Sequence, residues 1–454
     1  MSSGLAGLAW LPELPGEGLL IVGFSGGADS MALAHWLTGR VAKGRILLAH
    51  VNHLLRGDEA ERDQAAAEAF AREHGVEIRV LRADVKKLSA ERGIGTEECG
   101  RQVRYEFFHR LAPGEDDRIL TAHNADDNAE TILLNLCRGA GLDGLCGIPR
   151  ERGKVLRPLL GVSREEIEAY CRENGLEYVT DSSNLTDDYT RNRVRHQVLP
   201  VLKELNPRFV QAACKAAGLL REDREYLDSR ARELLESSRN QWGLEAAVLL
   251  GAGRSVRGRA VKLFLEQAGG SQLERRHVEE ALLLLEHGGG ADLPGVSVRC
   301  AQGVLWAGRG AAGGSFEMAA RLGENLLPGG ERLVLREKIL VKAENPEKIQ
   351  NLLFKNALDY DIMTGLAASP PEGMILRSRR PGDRFTPAGR GVSKPIKQIF
   401  QELRVPGPLR DGVPLLVCGG EIAWCRGAGA GERFRVTERT KRVLTVETED
   451  GKGK

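Results

Sequence analysis

Four short apolar segments divide the first part of the chain. They span Leu19–Phe24, Ile46–Val51, Val76–Leu81 and Ile119–Thr121. All four are predicted to be strands, and the nearly all-apolar Leu19–Phe24 suits a strand that is buried on both faces of a parallel sheet. More polar segments with helical spacing predict helices over Met31–Leu37, Asp58–His74, Thr96–Leu111 and Asp126–Arg138. This alternation predicts an α/β fold with a doubly wound, mostly parallel, Rossmann-like sheet.

The pattern changes beyond this region. A capping box, Ser163-Arg-Glu-Glu166, predicts the start of a helix that Gly175 ends. Helical spacing dominates from about residue 208 to 287, and alternating apolar residues return from Arg332 to Val341. We therefore predict three domains: the α/β domain over residues 1–212, a mainly helical middle domain over 213–345, and a small basic α+β domain over 346–454.

Composition narrows the class of protein. The chain has 454 residues, 42% of them apolar and 28% charged, which is ordinary for a globular protein. Its 65 basic and 63 acidic residues give a net charge of only +2, so a nucleic-acid partner would need a local basic patch. No apolar run is long enough to span a membrane, and no signal peptide is evident. Eight scattered cysteines without a C-x-x-C pair predict reduced thiols in a cytoplasmic protein with no zinc or iron–sulfur site.

The first apolar segment leads directly into a glycine-rich turn, Ser25-Gly26-Gly27-Ala28-Asp29-Ser30. A strand, such a turn and a helix present backbone N–H groups to a phosphate, and the glycines leave room for its approach. The serine hydroxyls add donors, and Asp29 would hold the turn or a Mg²⁺ ion. The alternative is a tight turn without a ligand, but the six-residue pattern favours a nucleotide site. The lysine of the common G-x-x-x-x-G-K-[ST] loop is absent.

Two further pairs of charged residues have helical spacing. Asp127 and Glu130 are three residues apart, so they share one face of the predicted helix and could bind a cation. The alternative is that acids in the first turn only complement the helix dipole. Arg101 and Arg104 could hold a phosphate or a base, or could belong to a solvated helix face. His53 and His123 follow predicted strands, at the sheet edge where doubly wound folds bind ligands.

A basic patch lies in the last domain, from Arg377 to Arg410. Nine Lys or Arg stand there against Asp383 and Glu402, a net charge of 9 − 2 = +7. Such a patch could follow the phosphate backbone of a nucleic acid, or could be a solvated basic face. Only Phe385 and Phe400 interleave with the cations, so base stacking is not expected as its main binding mode.

The segment Gly308–Gly313 matches the dinucleotide-binding pattern G-x-G-x-x-G. The residues after it make a poor helix start, and no strand–helix–strand unit surrounds it. We therefore interpret it as a turn or linker.

The loop resembles that of the ATP pyrophosphatases, and an ordered set of further motifs resembles the tRNA(Ile)-lysidine synthetase family in its long bacterial form. The set comprises His50-Val-Asn-His-x-Leu-Arg56, Glu97-x-x-x-Arg101-x-x-Arg104-Tyr105, Thr121-Ala-His123-x-x-Asp126-Asp127-Asn-Ala-Glu130-Thr131, Arg138-Gly-Ala-Gly-Leu, Arg157-Pro-Leu-Leu, Asp181-Ser-Ser-Asn184 and Arg191-Asn-Arg193-x-Arg195. Arg380-Pro-Gly-Asp-Arg384 and Pro414-Leu-Leu resemble the terminal domain of that form. Asn124 stands where the family pattern has a second histidine, and the match is weakest from about 215 to 345.

The resemblance implies a ligase of tRNA processing that uses ATP and Mg²⁺. It would join L-lysine to C2 of cytidine 34 in tRNA(Ile) with a CAU anticodon, through an adenylated cytidine, releasing AMP and pyrophosphate. The product, lysidine, would switch codon reading from AUG to AUA. No membrane partner is implied, and a homodimer stays open.

The resemblance also assigns roles to residues. ATP and its phosphates would be bound by Ser25, Gly26, Gly27, Ala28, Asp29, Ser30, Arg56 and Arg101. Lysine would be bound by Asp127 and Glu130, which with Asp29 and Arg104 would be catalytic, and Asp29 could also bind Mg²⁺. The tRNA would be bound by the middle domain and by Arg191, Arg193, Arg195, Arg380, Arg384, Lys394 and Lys397.

Two alternatives share parts of this pattern. A tRNA thiolase with the same type of loop would fit the first domain, but such enzymes usually need paired cysteines. A nucleotide-regulated RNA-binding protein without turnover would keep the basic patch, yet it would have no need of Asp127 and Glu130.

Overall fold

The computed structural model describes residues 10–12, 17–55, 57–179, 190–308, 314–328, 331–339, 356–366 and 373–449. The chain divides into two compact units, Met1–Glu225 and Tyr226–Lys454. Within the described ranges, no helix is both long enough and apolar enough to cross a membrane.

The first unit is built on a six-stranded sheet with the strand order β3-β2-β1-β4-β6-β5. Its strands are Leu20–Gly23 (β1), Ile46–Asn52 (β2), Glu77–Arg82 (β3), Arg118–Leu120 (β4), Glu151–Arg152 (β5) and Val155–Leu156 (β6). All neighbouring strands are parallel except β5 and β6, which are antiparallel. The predicted doubly wound, mostly parallel sheet is confirmed.

The helices of this region follow the predicted order. They are Ala28–Thr38 (α1), Asp58–His74 (α2), Val85–Arg92 (α3), Thr96–Leu111 (α4), Ala125–Cys137 (α5), Leu142–Leu145 (α6), Arg164–Glu173 (α7), Thr190–Arg193 (α8), Leu199–Leu205 (α9) and Phe209–Ser238 (α10). A π-helical turn, Val194–Val198, joins α8 to α9. The bounds of α2 and α4 are those predicted, because Gly57, Gly75 and Gly95 flank three of the four ends and Pro113 closely follows the fourth.

Alternate residues of the buried strands face opposite helical layers. Leu20 and Val22 pack with α1, α2 and α7 on one face of the sheet. Ile21, between them, packs with Phe107 and Phe108 of α4 on the other face. Helices α1 and α4 therefore approach the end of β1 from opposite sides, which places the glycine-rich loop and the arginines of α4 on two walls of one cleft.

The second unit contains short strands in several sheets. They are Arg239–Asn240 (β7), Gly243–Glu245 (β8), Gly289–Leu293 (β9), Val296–Ala301 (β10), Val304–Gly308 (β11), Glu317–Ala319 (β12), Gly323–Leu326 (β13), Arg332–Ile339 (β14), Ala357–Asp359 (β15), Met374–Arg377 (β16), Arg384–Phe385 (β17), Lys394–Pro395 (β18), Leu415–Cys418 (β19), Glu421–Cys425 (β20), Gly429–Ala430 (β21) and Arg442–Glu449 (β22). Its helices after α10 are Ala246–Leu250 (α11), Arg254–Gln267 (α12), Arg275–His287 (α13), Tyr360–Leu366 (α14) and Ile396–Glu402 (α15).

The middle of the chain is helical, as predicted, but it also contains a sheet. Helices α11 to α13 share a core with the sheet β7-β8-β11-β10-β9. Strand β11, which enters the G-x-G-x-x-G segment, is antiparallel to both of its neighbours. A dinucleotide site needs a parallel strand–helix–strand unit. The antiparallel pairing of β11 therefore does not support a dinucleotide site at the G-x-G-x-x-G pattern. Residues 309–313 lie outside the described ranges.

Two sheets hold the last part of the chain together. Their strand orders are β12-β16-β19-β20-β21 and β13-β14-β22-β15. Strands β12 and β14, within residues 317–339, thus pair with β16 and β22, which lie beyond residue 346, and share their apolar core. The three-domain division stays a prediction, and its boundary at 345/346 would separate strands that pair.

Gly23, the last residue of β1, allows the close approach of α4. A Cβ at Gly23 would lie 2.9 Å from Cζ of the buried Phe108 ring. We expect Gly23→Ala to lower the free energy of unfolding of the first unit by about 1–3 kcal/mol, since overpacking must displace that ring. Gly44→Ala is the matched control, because a Cβ there meets nothing within 4 Å. Urea unfolding compares the two, and equal stabilities would refute the constraint.

Candidate active site

A cavity of about 720 Å³ opens at the carboxyl ends of β1, β2 and β4. It is lined by the loop after β1, by residues that follow β2 and β4, by one face of α4, and by the segment of Arg191 and Arg195. Ser25, His53 and His123, placed by sequence at the strand ends, all line it. Doubly wound sheets bind their ligands at this edge.

The glycine-rich loop is held by its own hydroxyl groups. The Ser30 hydroxyl donates to the Gly27 carbonyl at 3.0 Å and accepts from the Ser25 N–H at 3.2 Å. Gly26 has φ of +84°, a conformation that favours glycine. Helix α1 begins without a side-chain cap. Its first N–H groups and the exposed Ser25 hydroxyl therefore remain available at the cavity to bind an anion.

Asp29 is a carboxylate in the first turn of α1 and has no ion-pair partner among the described residues. It accepts one hydrogen bond, from the Asn124 side-chain amide at 3.0 Å. Burial, and then the negative charge of Asp127, raise the pKa of Asp29 from 3.8 to about 6; the Asn124 hydrogen bond opposes them. A carboxylate in this situation favours a proton or a bound cation.

Asn124, the departure from the family pattern, connects this carboxylate to α5. Its side-chain oxygen accepts from the Asp127 N–H at 2.9 Å, and the Asp127 carboxylate accepts from the Asn124 N–H at 3.1 Å. These two bonds form a capping box, while the Asn124 amide group contacts Asp29. The N-cap preference of asparagine was a signal for the first role, but the contact with Asp29 joins residues 95 positions apart.

Asp127 and Glu130 form an ion-pair network with two arginines. Glu130 is completely buried, and it accepts from Arg191 Nε at 2.7 Å and from Arg195 Nε at 2.6 Å. Asp127 Oδ1 accepts from the same two guanidinium groups at 3.0 and 3.2 Å. The predicted shared face of α5 is present. Arg191 and Arg195, predicted to bind tRNA, are occupied by these carboxylates, whereas Arg193 between them is exposed.

Asp126 has a different role from the neighbouring Asp127. It accepts from the Arg164 N–H, at the start of α7, at 2.9 Å and from Lys203 Nζ of α9 at 3.0 Å. Asp126 therefore ties three helices together, away from the network of Asp127 and Glu130.

The wall opposite the loop is basic. Arg101 and Arg104 of α4 line the cavity together with His123, and the Arg101 guanidinium lies 5.1 Å from the centre of the Tyr105 ring. Burial, and then the surrounding guanidinium groups led by Arg157, lower the pKa of His123 from 6.5 to about 3. His123 is therefore a neutral side chain at physiological pH, with Nδ1 3.0 Å from the Thr121 hydroxyl.

Some sequence-predicted residues lie outside the described ranges. They are Arg56 and the Asp181–Asn184 loop. His50 lies within the described ranges and has a structural role, because its Nδ1 donates to the Phe24 carbonyl at 2.9 Å.

The comparisons with known proteins agree with this geometry. A model of the PP-loop domain matches residues 10–202, and a model of the TilS substrate C-terminal domain matches residues 374–446. A tRNA(Ile)-lysidine synthase of Clostridium tetani is 32% identical, covering 95% of each chain. Those of Geobacillus kaustophilus and Bacillus subtilis are 34% and 32% identical, covering 91% and 90% of this chain and 92% and 89% of their own.

The chain belongs to the tRNA(Ile)-lysidine synthase family. Membership in this family confirms the resemblance that the motifs indicated, and it confirms an ATP-using ligase. It favours neither the thiolase nor the RNA-binding protein without turnover.

The basic patch of this family member is smaller than its sequence suggests. Arg377 and Arg410 are buried, and Arg377 pairs with Asp383 at 2.7 Å. Most of the others also have acidic partners: Arg379 with Asp411, Arg380 with Glu317, and Arg390 and Lys394 with Glu402. Three exposed cations without an ion pair among the described residues remain, namely Arg384, Lys397 and Arg404. Phe385 and Phe400 are core residues and offer no stacking surface.

We expect Asp29→Asn to stabilise the protein without ATP or Mg²⁺. The pKa of this carboxyl is raised, so it is protonated in both folded and unfolded states below pH 3.8, and its charge destabilises the folded state as pH rises through about 6. The gain should be about 1–3 kcal/mol at pH 8 and should vanish toward pH 4.

Melting temperatures at the two pH values measure this effect. Asp58→Asn is the control, because Asp58 is an exposed acid in the first turn of α2. A pH-independent difference between Asp29→Asn and the parent protein would contradict the expectation.

Proposed function

We propose that this chain ligates L-lysine to C2 of the wobble cytidine in CAU-anticodon tRNA(Ile), using ATP. One observation carries the proposal: relatives named tRNA(Ile)-lysidine synthase match about nine-tenths or more of this chain. The test is lysine-dependent mass gain on that tRNA with purified protein, ATP and Mg²⁺. AMP and pyrophosphate should be released with it.

The reaction would proceed in two displacements. Cytidine O2 attacks the α-phosphorus of ATP, a P–O bond forms, and pyrophosphate leaves. The lysine amine then attacks C2, the C2–O2 bond breaks, and AMP carries the oxygen away. The protein's contribution to such steps is mainly positioning and charge stabilisation.

The loop Ser25–Ser30 would bind the departing pyrophosphate with backbone N–H groups and the Ser25 hydroxyl. Asp29 would hold Mg²⁺, which neutralises phosphate charge when bound. The raised pKa of Asp29 fits this assignment, since a cation would supply the charge partner that its carboxylate lacks. Arg101 and Arg104, on the opposite wall, would face the incoming cytidine rather than the departing pyrophosphate.

Lysine would bind at Asp127 and Glu130. Both carboxylates are already paired with Arg191 and Arg195. An incoming ammonium group would therefore have to share or replace a guanidinium. A displaced guanidinium could then pair with the carboxylate of the lysine, so the network could accept a zwitterion without a net change in charge.

The tRNA would be bound by exposed cations. Arg193 in the first unit and Arg384, Lys397 and Arg404 in the second have solvent-accessible side chains. Arg380 and Lys394, also predicted to bind tRNA, would have to exchange Glu317 and Glu402 for phosphate.

Glu130→Gln tests the lysine site. The variant keeps the side-chain shape and removes the charge, so lysine should bind at least about 10-fold more weakly while adenylation continues. Adenylated tRNA should accumulate, and mass spectrometry of a tRNA digest would detect AMP joined to the wobble cytidine. Glu165→Gln, an exposed acid on α7, is the control. Blocked adenylation with an unchanged lysine KM would instead place Glu130 in the ATP site.

A double variant, Arg384→Gln with Lys397→Gln, tests the tRNA surface. Each lost phosphate contact should reduce the slope of log K against log salt by about one. The affinity for ATP should not change, because the loop lies in the other unit. Arg79→Gln, an exposed arginine paired with Glu77 on β3, is the control. An unchanged salt slope would remove these two cations from the tRNA surface.

A further inference from the structure

Three guanidinium groups near His123 have no carboxylate partner among the described residues. They belong to Arg101, Arg104 and Arg157, and we call them the arginine cluster. Arg101 and Arg104 are accessible from the cavity and share one face of α4 with Glu97, which lines the same space but forms no ion pair with them. The three guanidinium groups outnumber the acids of this space, Glu97 and Glu98, and an excess of positive charge in a cleft favours an anionic ligand.

Arg157 is the most informative member of the cluster. Its side chain is only 5% exposed, and it donates a hydrogen bond to a neutral acceptor, the Pro149 carbonyl, at 2.8 Å. Burial of a cation without a counter-charge is costly. A bound anion beside His123 would supply the missing charge.

His123 adds no positive charge of its own to this wall. Its pKa is lowered by burial and by the arginines around it, so the imidazole stays neutral. A neutral imidazole beside several guanidinium groups can hydrogen-bond to an anion without repelling an incoming cation. The wall thus has the chemistry of a phosphate-binding surface rather than of an acid–base pair.

The cluster is separate from the loop that serves ATP. Helix α4 packs on one face of the sheet and α1 on the other, so the arginines and the loop lie on opposite walls of the cavity. A cytidine that enters between them must bring its own backbone phosphates. Contacts to phosphates position a nucleotide, whereas contacts to base edges select it.

We propose that Arg101 and Arg104 bind a tRNA phosphodiester that flanks the target cytidine and so orient O2 toward the ATP, while Arg157, which does not line the cavity, adds positive charge beside them. This inference rests on the proposed function. A lysine carboxylate is the competing anion. It would approach Asp127 and Glu130, where Arg191 and Arg195 are nearer.

The experiment combines protein and RNA changes. Arg104→Gln removes one guanidinium charge from an accessible position, and a methylphosphonate removes the charge of a single linkage, 5′ or 3′ of the wobble cytidine. Equilibrium binding of full-length tRNA is measured for all combinations, so the result does not depend on turnover. Arg110→Gln is the control, since Arg110 lies on the same helix but does not line the cavity.

We expect one methylphosphonate to weaken binding about 10-fold or more in the parent protein and in Arg110→Gln. In Arg104→Gln the same methylphosphonate should weaken binding by less than about threefold, because the guanidinium that binds this phosphate is already absent. Equal costs at both linkages in all three proteins would overturn the proposal.

Lysinamide in place of lysine distinguishes the competing source of the anion. The ratio of the KM for lysinamide to the KM for lysine should be the same in the parent protein and in Arg104→Gln. If Arg104→Gln instead abolishes the difference between lysine and lysinamide, the cluster binds the lysine carboxylate and the proposal is wrong. Failure of the parent protein to ligate lysine would refute the proposed function, while the binding measurements would still test the cluster.

Discussion

The complete burial of Glu130 is the constraint on which the cavity depends. A carboxylate without solvent must be neutralised locally, and two guanidinium groups do so at 2.6 and 2.7 Å. Both come from a segment more than sixty positions away, so α5 cannot hold its acid unless that segment docks on it. The segment includes a π-helical turn at Val194–Val198, a conformation that is frequent at functional sites. Losing either arginine would leave a buried charge only partly paired.

The remaining charges in the cavity are separated rather than balanced. Among the described residues, Asp29 has no cation partner on the loop side, and the arginine cluster has no carboxylate partner on the side of α4. Burial disfavours these charges, since it raises the pKa of Asp29 and lowers the pKa of Arg104 and of Arg157. Such groups are tolerated where a ligand supplies the missing charge. The cavity is therefore suited to a substrate that brings a cation to one wall and an anion to the other.

The sequence predicted the parts of this site that depend on local rules. Buried apolar runs placed the loop at a strand end, and the three-residue spacing placed Asp127 and Glu130 on one face of α5. The arginine partners of that face were assigned elsewhere, because no local rule connects residue 130 with residues 191 and 195. Asn124 shows the same limit. Its capping role follows from its position before a helix, but its bond to Asp29 depends on the packing of two distant elements.

Counting charges along the sequence overestimates the net charge of the C-terminal patch for a related reason. The count of +7 between residues 377 and 410 includes only the acids within that window. Folding brings in Glu317 and Asp411 from outside it, and buries Arg377 and Arg410. Three unpaired exposed cations then remain among the described residues, which corresponds to a salt slope of about 2–3 rather than 5–6. Electrostatic attraction of that size holds an RNA backbone only loosely. If the proposed function holds, discrimination of the target tRNA would depend more on contacts at the charged cavity than on this patch.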